Sequence, residues 1–341
     1  MKDPVLDTLL LPLENGSLEL PAQNAVFLRA RMGASLRQLG ATNLTCVQTF
    51  APYNDALEAA GFTTTPDAPQ SAELVLVLPP RQRDEARALM ARAVIMAAAH
   101  KGTVLVAAPN TEGAKTTEAD LAKLLPLDGK LSKNKCRVFW GTAENINQQL
   151  VDEWLPLDAP REILEGRFTS RPGIFAWDHI DPASKMLAET LPTHLGGVGA
   201  DLGAGFGYLS AEVLARCPKV KALDLYEAEK RALDLAQLNI EKQQSDVLTG
   251  FYWQDATKML RKTYDFIVMN PPFHTSKADQ PDLGQNFIRS AARSLRVGGH
   301  LWLVANRHLP YEDTLNKTFG SYKIERDEGG YKIIHAIKAG R

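Results

Sequence analysis

The stretch GVGADLGAGFGYLSAEVLARC, residues 197–217, joins a short apolar run, a glycine-rich turn and a longer segment of helical periodicity. Glycines at 203, 205 and 207 separate the two regular segments. Such a turn needs unusual φ angles, and it lets the backbone approach a ligand because no Cβ intervenes. The stretch therefore predicts a strand, a ligand-binding turn and a helix.

The pattern continues to the end of the chain as short β-branched runs that alternate with amphipathic segments. The predicted strands and helices are residues 197–203, 208–217, 220–227, 230–242, 248–253, 265–270, 284–295 and 300–306, in that order. Segments 322–328 and 331–338 are typical of a closing antiparallel pair. This alternation predicts a doubly wound α/β fold.

The first half of the chain repeats this pattern in kind. Residues 73–110 and 265–306 both run strand, Pro-Pro, helix, glycine, strand, with Leu78 in the place of Asn270 and Arg81 in that of Phe273. No glycine-rich strand-to-helix turn occurs early in the first half. We interpret the chain as two Rossmann-like domains in tandem, of which the amino-terminal copy is degenerate; coincidence between two ordinary α/β units is the alternative.

The 341 residues are enough for two domains. Segment 154–185 is rich in proline and glycine, which indicates a linker or cap. We therefore predict a degenerate domain at 1–160, for RNA binding or structure, and a catalytic domain at 161–341. The same segment places Arg167 and Arg171 beside aromatic residues, a mixture suited to a phosphate backbone or a cofactor, or to a solvated connection.

The composition excludes several classes of protein. The formal net charge is −1, so nucleic-acid contact must be local. Cys46, Cys136 and Cys217 have no C-x-x-C spacing, which argues against disulfides and a zinc site. There is no signal peptide pattern and no apolar run near the ~18 residues of a membrane span. We expect a cytoplasmic monomer without metal or membrane contact.

The spacing of the glycines indicates which ligand the turn binds. A dinucleotide site has the pattern G-x-G-x-x-G, but Tyr208 stands where its third glycine would be. The turn instead resembles the D-x-G-x-G-x-G loop of methyltransferases that use S-adenosylmethionine, although a bare turn remains an alternative. The predicted cofactor-binding residues here are Asp201, Gly203, Gly205, Phe206 and Gly207.

Acidic residues follow the next two strands. Glu227 could accept hydrogen bonds from ribose hydroxyls; Asp224 is its rival, but strand side chains alternate and Asp224 faces the other side. Asp255 could accept from the adenine amino group, or it could be an N-cap. Phe206 or Trp253 could pack on the adenine face.

The stretch DFIVMNPPFHTS, residues 265–276, ends a strand with two prolines. Neither proline can join a sheet ladder, so the Asn270 side chain and the Pro271 carbonyl lie at the carboxyl edge, where α/β proteins bind ligands. Two such acceptors could hold a nucleobase amine for methylation while Phe273 stacks on the base. We predict Asn270, Pro271 and Phe273 as catalytic, with Asn270 also against the cofactor; a rigid loop is the alternative.

These motifs, in this order, resemble class I methyltransferases that modify amino nitrogens. PGIFAWDHIDPASKML (172–187), NPPFH and VANRHLPY (304–311) are similar to the bacterial ribosomal RNA guanine-N2 methyltransferases. The resemblance implies S-adenosylmethionine, guanine N2 as acceptor, and ribosomal RNA or the small ribosomal subunit as partner. Chain length and PGIF favour the small-subunit enzymes over their large-subunit relatives, which share VANRHL.

Several residues are candidates for RNA contact. His274 could donate to a base or phosphate, or cap the next helix, and Arg307 could line the same cleft. In the first half, a cluster without an intervening acid predicts a phosphate-binding patch, with a solvated loop as alternative. Its members are Lys130, Lys133, Lys135 and Arg137.

Two other functions share some of these features. Methyltransferases of adenine N6 or glutamine N5 also use N-P-P, but more often with Tyr in the place of Phe273. A non-catalytic RNA-binding assembly factor could retain such a fold. The intact Asn270 and the glycine turn argue against that second function.

Overall fold

The structure is a computed structural model that describes residues 3–40, 43–272 and 281–340. The chain divides into two compact units. The first comprises residues 1–160 with 171–173, and the second comprises residues 161–170 with 174–341. Each unit contains one mixed seven-stranded sheet.

The first unit alternates strands and helices along the chain. Its helices are α1 (Pro4–Glu14), α2 (Ala34–Leu39), α3 (Ala51–Ala59), α4 (Arg83–Ala98), α5 (Ala114–Leu124) and α6 (Gln148–Trp154), with 3₁₀ turns at Asn110–Glu112 and Leu155–Asp158. Its strands are β1 (Ala25–Leu28), β2 (Leu44–Val47), β3 (Thr63–Thr65), β4 (Leu74–Val77), β5 (Thr103–Pro109), β6 (Gly129–Lys133) and β7 (Cys136–Thr142). The strand order is β3-β2-β1-β4-β5-β7-β6, with β7 antiparallel to both neighbours.

The second unit has the same order of elements after a short hairpin of β8 (Arg161–Ile163) and β9 (Phe168–Ser170). Its helices are α7 (Pro182–Thr190), α8 (Tyr208–Arg216), α9 (Lys230–Glu241), α10 (Pro281–Ser294) and α11 (Glu312–Thr318). Its sheet strands are β10 (Gly196–Leu202), β11 (Lys219–Glu227), β12 (Leu248–Trp253), β13 (Tyr264–Met269), β14 (Leu295–Asn306), β15 (Ser321–Glu328) and β16 (Tyr331–Ile337). Their order is β12-β11-β10-β13-β14-β16-β15.

The central strand β13 shows why this sheet is covered on both faces. Phe266 and Val268 pack into the apolar cluster on one face, whereas Ile267 and Met269 pack into the cluster on the other. A strand that is apolar on both faces needs helices on both sides of the sheet. The carboxyl ends of the parallel strands are left as the edge where loops can build a site.

Equivalent strands of the two sheets pair in the same register, so residues of the two units can be matched one to one. Leu28 of β1 pairs with Val47 and Val77, as Leu202 of β10 pairs with Tyr226 and Met269. Residues that follow these partners correspond in turn, so Leu78 takes the place of Asn270, as the sequence predicts.

The turn after the first strand also corresponds. Arg29 has a φ of 57° where Gly203 has 77°, although positive φ is uncommon for a residue with a side chain. The Ala30 N–H donates to the Val47 carbonyl at 3.2 Å, and the Ala204 N–H donates to the Tyr226 carbonyl at 3.1 Å. The first unit therefore keeps the start of the turn's backbone with Arg29 and Arg31 in the places of Gly203 and Gly205, and only Gly33 corresponds to a glycine of the turn, Gly207.

The structure differs from the sequence prediction in segment 154–185. This segment was predicted as a linker or cap, but it contains the β8–β9 hairpin and the start of α7. Asp181 caps α7 by accepting from the Ser184 N–H at 2.8 Å, and Pro182 occupies the first helical position. Proline is well tolerated there because that N–H has no helical partner, so proline in this segment does not exclude a helix.

The described residues contain neither a membrane-spanning helix nor a metal-binding cluster of side chains. None of their helices is both long and apolar enough to span a membrane. Within the same ranges, no group of three or more His, Cys, Asp or Glu side chains could hold a metal ion.

Candidate active site

The glycine-rich turn lies between β10 and α8, at the carboxyl edge of the second sheet. The φ angles of Gly203, Gly205 and Gly207 are 77°, 55° and 91°, which side chains rarely permit. The N–H groups of Gly203 and Ala204 donate to the Tyr226 carbonyl oxygen at 2.8 and 3.1 Å. The turn is therefore tied to the end of β11, and its conformation requires glycine.

Two glycines of the turn serve different purposes. A Cβ added at Gly205 would meet no atom within 4 Å, because that position faces open space. A Cβ added at Gly207 would lie 3.1 Å from the Cα of Ala236, because α9 packs there. Gly205 thus leaves room for a ligand against the backbone, whereas Gly207 allows the helix to approach the turn.

Glu227, the last residue of β11, is hydrogen-bonded to this turn. Its Oε2 accepts from the Gly205 N–H at 2.8 Å and its Oε1 accepts from the Glu229 N–H at 2.8 Å. Burial raises the pKa of the Glu227 carboxyl despite these two bonds. Each carboxylate oxygen has a further lone pair, so the side chain can still accept from a diol.

Asp201 lies beneath the turn and is almost completely buried. Its Oδ2 accepts from the Ser210 hydroxyl at 2.7 Å. Burial is the main reason that the pKa of Asp201 rises to about 7, and the negative charge of Glu227 adds to it. The floor of the site therefore contains a carboxyl group that titrates near neutral pH.

Asp224 faces the other side of the sheet, as alternation along the strand predicts. It is buried, accepts from the Tyr264 hydroxyl at 2.8 Å and pairs with Lys262 at 2.9 Å. These partners balance the charge of Asp224 away from the turn. Glu227 is the acidic residue of β11 that reaches the turn.

Asn270 follows β13, and two residues of α7 and its cap hold its amide group. The Asn270 Nδ2 donates to Asp181 Oδ2 at 2.8 Å and to Ser184 Oγ at 2.7 Å. The Asn270 Oδ1 is buried and accepts no hydrogen bond from any described residue. Because an ionised carboxylate can only accept, Asp181 fixes which end of the amide is the oxygen. The site thus contains one oriented acceptor without a donor.

Asp201, the turn residues 203–206 and Asn270 line one cleft that is open to solvent. The wall opposite the glycine turn includes Asn270, Asp181 and Ser184, and the aromatic ring of Phe175 is 66% exposed at its rim. A concave site with a glycine turn, a buried acid and an oriented amide therefore lies at the edge that the sequence predicted.

The residues predicted at the adenine face have other partners. Phe206 is buried, lines the cleft and packs edge-on against Phe168 at 5.7 Å. Trp253 donates from Nε1 to the Ala228 carbonyl at 2.8 Å. Asp255 Oδ1 accepts from both the N–H and the hydroxyl of Thr257, at 2.9 and 2.7 Å. Asp255 shapes the local turn, and its contact with adenine stays a prediction.

The far side of the Asn-Pro-Pro motif is described only in part. The Pro271 side chain is buried and that of Pro272 is exposed, in agreement with a strand that ends at Met269. Phe273 and His274, predicted to contact the base and the RNA, lie outside the described residues. Their roles stay predictions.

The basic cluster of the first unit is partly neutralised. Lys130 and Arg137 both pair with Glu118 of α5, at 2.8 and 2.7 Å. The side chains of Lys133 and Lys135 are exposed. The sequence showed no acid within the cluster, but the fold brings one from another element. Phosphate binding at this cluster stays a prediction.

The three other arginines predicted to contact RNA, Arg167, Arg171 and Arg307, also have acidic partners. Arg167 pairs with Glu212 and lies over the Phe168 ring, while Arg307 pairs with Asp327. In the first unit, Asp158 pairs with Arg171 at 2.8 Å and with Arg92 at 2.6 Å. The pKa of Asp158 is lowered because these guanidinium groups outweigh its burial. Arg171 therefore contributes to an internal ion pair.

The lining residues that were not predicted as functional include the two partners of Asn270, Asp181 and Ser184. A signal for Asp181 was present, because Asp-Pro-Ala-Ser is the pattern of an N-cap with proline at the first helical position. A helix-capping role explains that pattern fully, so the sequence alone could not show that the same carboxylate reaches Asn270.

The fold and the site together define a class of protein. The strand order, the glycine turn after the first strand, the acid after the second and Asn-Pro-Pro after the fourth are those of class I S-adenosylmethionine-dependent methyltransferases. The family described as "Methyltransferase small domain" matches residues 165–335, which contain all of these features.

Curated relatives and a solved structure narrow the class. Two proteins named Ribosomal RNA small subunit methyltransferase C are similar: that of Cronobacter sakazakii is 29% identical over 236 residues, and that of Salmonella paratyphi B is 31% identical over 235 residues. Each alignment covers 69% of this chain and 67% of the relative. The chain belongs to the ribosomal RNA small subunit methyltransferase C family.

The solved structure resembles nearly the whole chain. It is described as T. thermophilus 16S rRNA N2 G1207 methyltransferase (RsmC) in complex with AdoMet and guanosine. It has a TM-score of 0.80 and 25% identity, and the match covers 99% of this chain and 92% of that chain. This similarity confirms the predicted tandem of Rossmann-like domains with a degenerate first copy.

Proposed function

We propose that this protein transfers a methyl group from S-adenosylmethionine to the exocyclic N2 of a guanine in 16S ribosomal RNA. The observation that carries the proposal is the Asn270 Oδ1, an oriented acceptor without a donor in a cleft of the methyltransferase type. The names of the curated relatives and the AdoMet and guanosine bound by the T. thermophilus protein support it.

The chemistry explains why an acceptor is needed there. The guanine N2 amine is a poor nucleophile because its lone pair is delocalised into the ring. Asn270 Oδ1 and the Pro271 carbonyl would accept its two hydrogens, which favours a pyramidal nitrogen with an available lone pair. S-adenosylmethionine supplies an electrophilic sulfonium methyl group when bound. The protein contributes position and complementary charge rather than a strong base.

The hydrogen bonds of Asn270 make this acceptor specific for an amine. Asp181 Oδ2 and Ser184 Oγ occupy both N–H positions of the amide, so the amide cannot donate to a guanine O6. The oxygen that remains is complementary to an N–H donor. The atom is enclosed in this structure, so a base that reaches it requires a local rearrangement around Asn270. A base inside a duplex would first have to leave its stack.

The cofactor would occupy the side of the cleft formed by the glycine turn. Gly205 leaves backbone open to it, Gly203 belongs to the same turn, and the second lone pairs of Glu227 suit the ribose diol. Asp201, Phe206, Gly207 and Asp255 complete the proposed set. Methyl acceptor and donor would then meet between Asn270 and the turn.

The test is methyl transfer with labelled S-adenosylmethionine to protein-depleted 16S ribosomal RNA and, separately, to small ribosomal subunits. Digestion to nucleosides should place the label in N2-methylguanosine, and mapping should place it at the counterpart of the guanine named for the T. thermophilus protein, G1207. Label that appears only in adenine, in protein or in large-subunit RNA contradicts the proposal.

For the amino-terminal unit we propose a role in holding the RNA or in structure rather than in chemistry. The exposed Lys133 and Lys135 support an RNA contact. Replacing both by Gln should weaken RNA binding and lower its salt dependence by up to ~2 units in slope, without changing cofactor affinity. An unchanged slope argues for a structural role alone. Light scattering of the full chain tests the expected monomer.

A further inference from the structure

A second groove of the catalytic unit lies at the opposite edge of its sheet. It is formed by the loop before β10, the starts of β11, β13 and β14, and the inner parts of β14 and β16, with about 490 Å³ of free space. The strand β10 has seven residues, so the groove is roughly 20 Å from the glycine turn. A ligand here would not overlap the active site.

The wall of this groove contains a buried donor without an acceptor. Trp302 is 5% exposed, and its ring stacks on that of His335 with centroids 4.2 Å apart. Its Nε1 is buried and donates to no described residue. An indole N–H can only donate, and buried donors in proteins are almost always paired. A partner must therefore carry an acceptor atom, and since the N–H is enclosed in this structure, such a partner can reach it only after a local rearrangement of the groove wall.

The charges around the groove are mainly positive. Lys219 and Lys221 project from the start of β11, are exposed, and form no ion pair with any described residue. The acidic lining residue among the described ones is Asp265, which accepts from the Val198 N–H at 2.7 Å and pairs with Arg296 at 2.7 Å. Asp265 is thus already neutralised, and the two lysines give the groove an uncompensated positive charge.

The histidines of the groove are consistent with a positive charge that comes from the lysines. His300 Nδ1 lies 2.9 Å from His335 Nε2, and His335 Nδ1 lies 3.3 Å from Glu325. Burial lowers the pKa of His300, and the neighbouring His194 and Arg296 lower it further. The neutral imidazoles form a polar wall, while the lysines carry the charge.

We propose that this groove binds a phosphate group, with Lys219 and Lys221 as counter-charges and the Trp302 Nε1 as a hydrogen-bond donor. Phosphate oxygens accept in several directions at once and suit a mixture of ammonium and N–H donors. The group is either a phosphodiester of an RNA strand or the phosphate of a small molecule. This site is separate from methyl transfer and goes beyond the proposed function.

The test follows the indole signal of Trp302 in the full-length protein. The ¹⁵N-labelled indole resonance, assigned with Trp302→Phe, is recorded during titration with inorganic phosphate and, separately, with oligouridylate, each at constant ionic strength. Saturable movement of this resonance is expected. Lys219→Gln and Lys221→Gln should each weaken the interaction about five-fold, because the net loss of one solvent-exposed hydrogen bond is about 1 kcal/mol.

Lys317→Gln is the matched control, because Lys317 is also an exposed lysine of this unit but lies on α11, outside the groove. All variants should keep the cofactor affinity of the wild type, which separates loss of the groove from unfolding or from failure of the methyltransferase assignment. Saturation by oligouridylate alone identifies an RNA phosphodiester, and saturation by inorganic phosphate identifies a small phosphate ligand. A Trp302 resonance that moves with neither, or lysine variants that bind like Lys317→Gln, overturn the proposal.

Discussion

Asn270 shows how a single residue can be given one function by its neighbours. An amide side chain has a donor end and an acceptor end, and rotation by 180° exchanges them. The contacts with Asp181 and Ser184 use only the donor end. The choice of an amine as partner therefore depends on residues that would not touch the substrate.

Asn270→Ala tests the acceptor itself. We expect kcat to fall by ~10²-fold or more, as when a preorganised hydrogen-bonding group is removed from other active sites. S-adenosylmethionine affinity should change by less than about three-fold, because the proposed role of Asn270 is toward the acceptor base. Single-turnover methylation and calorimetric titration measure the two quantities. Unchanged turnover would contradict the mechanism.

Asp181 and Ser184 test the positioning of that acceptor. Asp181→Ala should lower kcat by about 10-fold to 10²-fold and cost about 1 kcal/mol of stability, because it also removes the N-cap of α7. Asp181→Asn retains an oxygen that can accept from Asn270, so its kcat should lie between those of the wild type and Asp181→Ala.

Ser184→Ala removes one acceptor without removing the cap, so its kcat should fall while its stability stays close to that of the wild type. Asp178→Ala is the control, since Asp178 is exposed and bonds to His179 in the same loop. If all four variants share one kcat, Asp181 and Ser184 have only a structural role.

Asp201 predicts a pH dependence of stability. Its pKa is raised from 3.8 to about 7, so the folded state binds the proton more tightly than the unfolded state does. The stability from that proton is fully present below 3.8 and is lost as the pH rises through about 7. Asp201→Asn cannot ionise. Its unfolding midpoint should therefore rise relative to the cofactor-free wild type as pH increases through neutrality; a constant difference would refute this.

At the scale of elements, the glycine turn combines two requirements that two substitutions can separate. Gly205→Ala places a methyl group in open space at a φ of 55°, so it should cost only ~1 kcal/mol of stability but weaken cofactor binding. Gly207→Ala places a methyl group 3.1 Å from the Ala236 Cα at a φ of 91°, so it should cost ~2 kcal/mol or more.

Urea unfolding and cofactor titration of both variants measure this difference. Equal losses of stability would mean that the turn adjusts as one unit and that α9 can move away. Unchanged cofactor affinity in Gly205→Ala would mean that the ligand does not approach this backbone.

The helices and strands of the second half lie within a few residues of their predicted positions. Strand β13 was predicted at 265–270 and spans Tyr264–Met269, because its apolar run and the prolines after it are local signals. Strand β14 was predicted to begin at 300 but begins at Leu295. The segment 295–299 contains an arginine and two glycines, so its sequence has no strand pattern. Of those residues Leu295 pairs with Tyr264 of β13, and the register then shifts before the regular pairing resumes at His300.

The turn of the first unit differs from that of the second at the position of Glu227. Gln48 stands where Glu227 does: its Oε1 accepts from the Phe50 N–H at 2.8 Å and its Nε2 donates to the Ala30 carbonyl. The Gln48 amide therefore bonds only to backbone groups of the turn and of the chain that follows β2. Both ends of Gln48 are then used, whereas Glu227 keeps lone pairs that can accept from a ligand.

For the whole molecule, this difference predicts one cofactor for each chain. Two homologous turns exist, but the first has Arg29 in the place of Gly203, Gln48 in that of Glu227 and Leu78 in that of Asn270. Calorimetry of the full chain with S-adenosylmethionine should give a stoichiometry of one. Gly205→Ala is the control and should reduce this binding as a single event. A stoichiometry of two would show that the first unit retains a site.

The sequence by itself determined the alternation of strands and helices from β10 to β14, the glycine turn and the Asn-Pro-Pro edge. Each of these depends on residues that are neighbours in the chain, through side-chain periodicity, the φ freedom of glycine and the fixed φ of proline. The family resemblance used the same local motifs.

Only the tertiary structure decided which partners surround those motifs. Asp181 orients Asn270 from 89 positions away, and Glu118 of α5 neutralises Lys130 and Arg137 on another element. Such contacts arise where sheet register and helix packing bring distant segments together, and no local pattern encodes them. The orientation of an amide and the net charge of a patch are therefore properties of the fold.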